Sequence, residues 1–268
     1  MVNALSTPKD VRIKRPSAVS STATFMWRTF LKIKTAPGQL IFDSMVAIIS
    51  MLIFTFLFGG AIDGSPRAYV QFLLPGMLFM TVLPMTVYAG SALCKDISTG
   101  VYDRFRTIGF WQPAPVLGTL IADILKYVIA VVGVVLTGLA IGFRPEGCIT
   151  GLMLGMLLVI LYAFSLSWVF ATIGVVVKKP DSIAQNSMLI LYTSIFGSNI
   201  FTDISTMPDW MQTVIMFNPT THIVTATRLL MQGMYSAWDI TLALIVCAGL
   251  VCVFAPLTFA LYGRKNRV

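Results

Sequence analysis

Ionisable residues are scarce in this sequence: 11% of its 268 residues are Asp, Glu, Lys or Arg, while 57% are hydrophobic. Ordinary globular domains carry about a quarter charged residues, so a chain of this composition cannot cover itself with a polar surface. Histidine occurs once, as His222, and glutamate once, as Glu146. No cysteine has a plausible catalytic base nearby, which leaves neither metal-centre nor nucleophile machinery. The pattern G-x-x-x-x-G-K-[ST] is missing, and with it the glycine-rich cradle and lysine that hold nucleotide phosphates. The four cysteines form no disulfide framework: Cys94 and Cys148 fall at opposite ends of one predicted hairpin arm, and Cys247 and Cys252 lie within a single span. We find no internal repeat and no low-complexity segment.

What remains is a set of long apolar runs. Several approach or exceed the roughly 18 to 20 residues that cross a hydrocarbon core as a helix, which makes this an all-α, polytopic membrane protein. Six spans are expected, over 44–61, 72–93, 115–143, 149–177, 184–201 and 240–262. The first is broken by Gly59-Gly60 and by Asp63-Gly64-Ser65-Pro66. The second contains Pro75 and Pro84, which bilayer helices tolerate because neighbouring helices satisfy the freed carbonyls.

The net charge of +8 does not point to nucleic acid, because the Lys and Arg residues cluster beside apolar runs. Fifteen of the 19 basic residues fall on the two tails and the even-numbered connections. The exceptions are Arg67, Arg144 and Arg228 on the other side and Lys126 within a helix. Positive-inside bias then places both termini in the cytoplasm. The N-terminal segment has no apolar h-region at signal-peptide distance, so it reads as a cytoplasmic tail, although an organellar transit peptide has a similar composition. Residues 1–39 are expected to form that tail with an interfacial helix, and 40–268 the membrane domain.

Between the fifth and sixth spans, residues 203–238 are too apolar for a free loop and too interrupted for a clean crossing. Pro208, Asn218-Pro219 and Gly233 divide them into short helices, with Trp210 and Trp238 suited to headgroup depth. An external, partly re-entrant hairpin is one reading and two further crossings are the other. His222, just after Asn-Pro-x-Thr, reads as a structural hydrogen-bonder.

The stretch KDISTGVYDRFRTIGFWQPAP, Lys95 to Pro115, is the polar interlude of the chain. Wound as a helix over 95–109, it aligns Ile97, Val101, Phe105 and Ile108 on one stripe and leaves Asp96, Asp103, Arg104 and Arg106 on the remaining surface. Such a helix either lies on lipid or offers its charges to a partner. The stretch resembles the signature of the type-2 ABC transporter permeases: Asp96, Gly100 and the triplet Arg104-Phe105-Arg106 ahead of a proline-led helix. A second resemblance to that family lies in Pro208, Trp210, Asn218-Pro219, Thr221, Arg228 and Gly233. The resemblance covers nearly the whole chain and is closest to the daunorubicin-resistance-like drug-export permeases.

That resemblance implies that the stretch is a coupling helix docking on a separate ABC ATPase subunit. Asp96, Gly100, Val101, Arg104, Phe105 and Arg106 would carry the contact. It also implies a connecting helix over 25–34 at the inner face of a bacterial cytoplasmic membrane, where Trp27, Phe30, Arg28 and Lys32 fit. Two ATPase copies would hold ATP and Mg, with no cofactor in this chain, and a second permease copy or a similar chain would complete the pathway. The family's pathway helices correspond here to the second and fifth, which suggests Phe79, Met80, Pro84, Tyr88, Ser194, Phe196 and Asn199 as a soft wall for bulky amphiphiles.

Asp123 and Lys126 form the one ionisable pair inside a predicted helix; three residues apart they can pair, in a functional or a purely structural role. Gly138 with Gly142 and Gly151 with Gly155 have the spacing of close helix contacts. The cargo stays open between a drug, a lipid and a lipid-linked polysaccharide. A secondary carrier driven by an ion gradient is the rival class, marked by inverted repeats and midplane charge, of which only Asp123/Lys126 and the prolines of the second span are present.

Overall fold

The computed structural model describes residues 17–35, 37–62, 64–99, 111, 113–146, 148–177 and 180–265. Among the described residues every regular element is helical. The helices are α1 (Ala18–Thr35), α2 (Gly38–Ile53), α3 (Gly59–Ile62), α4 (Pro66–Ser98), α5 (Ala114–Ile141), α6 (Cys148–Val176), α7 (Pro180–Phe196), α8 (Asp209–Met216), α9 (Pro219–Met231) and α10 (Ala237–Lys265). A π-helical turn, Phe54–Phe58, joins α2 to α3, so the three form one rod up to the turn at Gly64.

Five of these stretches are long and apolar enough to cross a membrane: Gly38–Ala61, Pro66–Ser98, Ala114–Ile141, Ile149–Val176 and Ala237–Gly263. The six expected spans are therefore five among the described residues. The sequence places the fifth crossing at 184–201, but the corresponding helix, α7, runs four to five residues earlier and ends at Phe196 after 17 residues. Helices α8 and α9 have 8 and 13 residues, roughly 12 and 20 Å at about 1.5 Å per residue. Neither reaches across about 30 Å of hydrocarbon, which removes the reading of 203–238 as two full crossings.

Helix α4 is the axis of the bundle. It packs against α2, α3, α5, α6, α7 and α9, and 78% of its apolar window is buried, against 11% for α10 and 17% for the α2 rod. Its start is set by chemistry: Ser65 is the N-cap and accepts a hydrogen bond from Ala68 N at 3.2 Å, with Pro66 as the first helical residue. The preceding reversal uses Gly64 at φ 70°, a left-handed conformation that favours glycine.

Close backbone approach fixes the seam between α4 and α6. A Cβ on Gly174 would meet the backbone of Gly90, and one on Gly90 would meet the backbone of Phe170. Of the two glycine pairs singled out from spacing, Gly151 and Gly155 face α9 through Leu230, Thr227 and Met231. Gly138 packs on Leu74 and Met51, whereas Gly142, at φ 125°, ends α5. There Phe143 N bonds Gly138 O at 2.8 Å, a glycine-terminated helix end.

Helix α1 lies on α5. Phe25 and Ser21 are its buried residues, and Gly118 lets the α1 backbone approach, since a Cβ there would stand 2.7 Å from Phe25 Cβ and 2.9 Å from Met26 N. Trp27 and Phe30 stack on each other at 5.7 Å and face outward. The expected interfacial helix of 25–34 is thus longer, and Phe25 anchors it while its other aromatics stay exposed.

Candidate functional site

Two clusters of polar side chains occupy opposite ends of α4. At the end carrying Lys95, the last turn of α4 presents Asp96 to α1. Arg28 donates from both terminal nitrogens to the two Asp96 carboxylate oxygens at 3.4 Å, and Lys32 Nζ stands 3.9 Å away. A forked guanidinium–carboxylate pair fixes orientation as well as distance. Burial nonetheless pulls the Lys32 ammonium below its ordinary range, outweighing the pull of Asp96 in the other direction.

Lys95–Ser98 are the end of α4 and do not open a separate helix over 95–109. Gly100, Val101, Arg104, Phe105 and Arg106 lie outside the described residues. Of the expected coupling residues, the structure therefore positions Asp96 alone, and gives it a partner within the chain.

Next to this clamp is a cavity of about 660 Å³ bounded by α1, α2, α4 and α5. Asp123 and Lys126 both face it and form an ion pair of 2.6 Å across one helical turn. Asp123 is almost wholly buried, while Lys126 keeps part of its stem open, as a lysine does when its head seeks the polar side. Tyr88 faces the same cavity from α4, and its hydroxyl donates to Asp43 Oδ1 at 3.3 Å.

The seven residues expected to line a pathway do not converge on one wall within the chain. Met80, Pro84 and Tyr88 recur every fourth residue and mark a stripe of α4 that is not fully buried. Phe79 points the other way, into the core, with its ring 6.1 Å from Tyr162 of α6. On α7, Ser194 is partly covered and Phe196 is exposed beside Phe201, ring to ring at 5.8 Å. Asn199 is buried at the far end, donating to Thr225 Oγ1 at 2.9 Å.

That far end is organised by the Asn-Pro-x-Thr and Arg motifs. Asn218 serves two helices at once. Its Oδ1 accepts from Thr220 N at 3.0 Å as the N-cap of α9, and its Nδ2 donates to Gly197 O at 2.7 Å and Ser194 O at 3.1 Å at the close of α7. Pro219 takes the first helical position, where a missing N–H costs nothing. Pro208 stands just before α8, and Trp210 on α8 is exposed.

Arg228 is the buried cation of this end. It donates from Nη2 to Asn199 O at 3.0 Å and from Nε to Phe72 O at 3.4 Å, and its guanidinium lies 3.7 Å from the centre of the Phe72 ring. Burial lowers its pKa to about 10, partly offset by Asp203, so it remains protonated at neutral pH. His222 Nε2 bonds Met216 O at 2.8 Å and ties α9 to the end of α8, a structural role.

Sequence reasoning missed Asp43. The first span was expected to begin at Ser44, whereas α2 begins at Gly38 and carries the carboxylate inside the apolar rod. The signal was present in Leu40, Ile41 and Phe42, which extend the apolar run on the other side of Asp43. The Gly90–Gly174 contact was missed because the two residues are on different helices.

Comparison with known proteins agrees with this architecture. Residues 20–231 match the family described as ABC-2 type transporter. The chain is also 48% identical over 255 residues to the daunorubicin resistance ABC transporter permease protein DrrB1 of Streptomyces coeruleorubidus, a match spanning 95% of this chain and 90% of that protein. The polar clamp, the motif-built far end and the apolar rods thus belong to a multi-pass membrane permease of the ABC-2 type transporter family.

Proposed function

We propose that this chain is the membrane subunit of an exporter that moves hydrophobic or amphiphilic compounds, a drug or antimicrobial foremost, out of a bacterial cell. Two copies of a separate ATPase hold ATP and Mg and supply the work, and a second copy of this permease or a similar chain completes the pathway. Helix α7 is the remaining crossing, making six, with both termini and the Lys95 end of α4 in the cytoplasm and α8–α9 forming the external hairpin. Residues 100–109 are the segment that docks on the ATPase: Arg104 and Arg106 make the charged contacts and Phe105 packs, with Gly100 and Val101 part of the same coupling stretch.

The observation that carries this reading is the Asp96 clamp. A push on the docking segment reaches the end of α4 immediately, and through Arg28 and Lys32 it reaches α1 as well. Since α4 touches six other helices, displacing it displaces the wall formed by Met80, Pro84 and Tyr88. ATP drives transport only if the nucleotide-bound ATPase pair binds one permease conformation more tightly than the other, because equal affinity shifts no equilibrium. The name of the DrrB1 relative supports an amphiphilic drug over a lipid-linked polysaccharide as cargo.

The test is efflux of a fluorescent amphiphilic drug from cells expressing the permease with its ATPase. Replacing Arg104 and Arg106 by Glu should abolish efflux while leaving the permease in the membrane, and a cysteine at Phe105 should crosslink to the ATPase. Undiminished efflux with both charges reversed, or ATP hydrolysis by the purified permease alone, would refute the division of labour.

A further inference from the structure

The cavity between α1, α2, α4 and α5 contains one carboxylate without a cationic partner. Asp96 is held by Arg28 and Lys32, and Asp123 is held by Lys126. Those are the ion pairs among the described residues, and Asp43 is in none of them. Its partner is the neutral hydroxyl of Tyr88 at 3.3 Å. Lys95 is exposed at the cavity's rim and Lys126 is committed to Asp123 at 2.6 Å.

A carboxylate on a membrane-crossing helix is costly without a counter-ion and marks a functional position by default. Here it opens on about 660 Å³, within the roughly 300 to 1,000 Å³ typical of small-molecule sites. Leu40, Ile33, Met85 and Ala92 supply apolar wall around it. The ring of Tyr88, beside the carboxylate, offers a π face to a cation. The site lies within one chain, at the clamped end of the bundle, and needs no residue from a second copy.

We propose that this cavity binds an amphiphilic organic amine, with its ammonium on Asp43 and Tyr88 and its apolar body against Leu40 and Met85. An anionic headgroup fits less well, because three of the four cations lining the cavity already hold carboxylates. The proposal rests on the reading of this chain as an exporter of amphiphiles and names the chemical class that the cavity admits. In the transport sequence this is a loading position at the clamped end, joined through Tyr88 to the α4 stripe of Met80 and Pro84.

Binding to the purified full-length permease in lipid nanodiscs, without ATPase, tests it. The probe is a dansyl fluorophore with an aliphatic primary amine, compared with its N-acetylated, uncharged counterpart. Wild-type protein should bind the amine about tenfold or more tightly than the amide, the scale of a charge-assisted contact. Asp43→Asn should erase that preference, Asp43→Glu should retain most of it, and Tyr88→Phe should weaken amine binding about threefold.

Equal binding of amine and amide by wild-type protein would overturn the proposal, and so would an unaltered preference in Asp43→Asn. Should Asp43→Asn fail to fold, the amine–amide comparison on wild-type protein still decides. Amine binding that depends on Asp43, in cells that nevertheless export nothing with the ATPase present, would sink the export reading and leave the site standing. Export with no amine preference would do the reverse.

Discussion

The two ends of α4 are held in opposite ways. At the Arg228 end the contacts run from side chain to main chain: Asn218 to the carbonyls of Ser194 and Gly197, and Arg228 to those of Phe72 and Asn199. At the Lys95 end the contacts of α4 with α1 and α2 run from side chain to side chain, from Asp96 to Arg28 and Lys32 and from Tyr88 to Asp43, around a cavity. Main-chain carbonyls closed off by a buried guanidinium leave little freedom, and losing such a partner strands several acceptors. Half-exposed ion pairs contribute about 0 to 1 kcal/mol each, so they can separate and re-form at little cost. We infer that the Arg228 end is a fixed anchor and the contact of α4 with α1 a releasable latch.

The largest expected effect lies at the close seam between α4 and α6, toward the Lys95 end, where main chain meets main chain. Gly174→Val would drive a side chain into the backbone of Gly90, and overpacking of this kind costs about 3 kcal/mol or more. We expect loss of the monodisperse protein on size exclusion, whereas Gly249→Val, at a position with open space around it, should behave as wild type. Arg228→Ala comes next, at about 3 kcal/mol, because it strands two carbonyls and uncovers Phe72. Thermal unfolding in detergent should show a clear fall in midpoint, with Arg228→Lys recovering only part of it, since an ammonium lacks the planar fork.

Asn218→Ala removes a cap shared by two helices and should cost about 2 kcal/mol. Asp96→Asn should have the smallest effect on stability, under about 1 kcal/mol, yet lower drug efflux several-fold by freeing α1 from α4. A large stability loss from Asp96→Asn with full efflux would invert the assignment of anchor and latch.

Much of this plan was legible in the residues. Apolar run length marked the crossings because a helix must hide its main chain from lipid, and Pro208, Asn218-Pro219 and Gly233 marked the ends of α8 and α9 because each has a fixed backbone preference. The motif residues Asn218 and Arg228 were identified, but their chemistry was not, since it depends on carbonyls distant in the sequence, those of Ser194 and Gly197 for Asn218 and of Phe72 and Asn199 for Arg228. Asp43 escaped because the first span was begun at Ser44, six residues after the start of α2, which left the carboxylate outside it. Phe79 and Tyr88 looked alike in sequence. The pitch of α4 turns the first into the core and the second toward the cavity, and only the packed bundle determines which face is which.

Distances measured by electron paramagnetic resonance across both ends would test the central claim most directly. Spin labels at Lys32 and Lys95 report on the latch, and labels at Trp210 and Trp238 on the anchor, all four being exposed. The assembly would contain the ATPase and one labelled permease with its native cysteines replaced. Adding ATP under conditions that block hydrolysis should shift the Lys32–Lys95 distribution and leave that of Trp210–Trp238 unchanged. Equal shifts at both ends, or a shift confined to the tryptophan pair, would contradict the account.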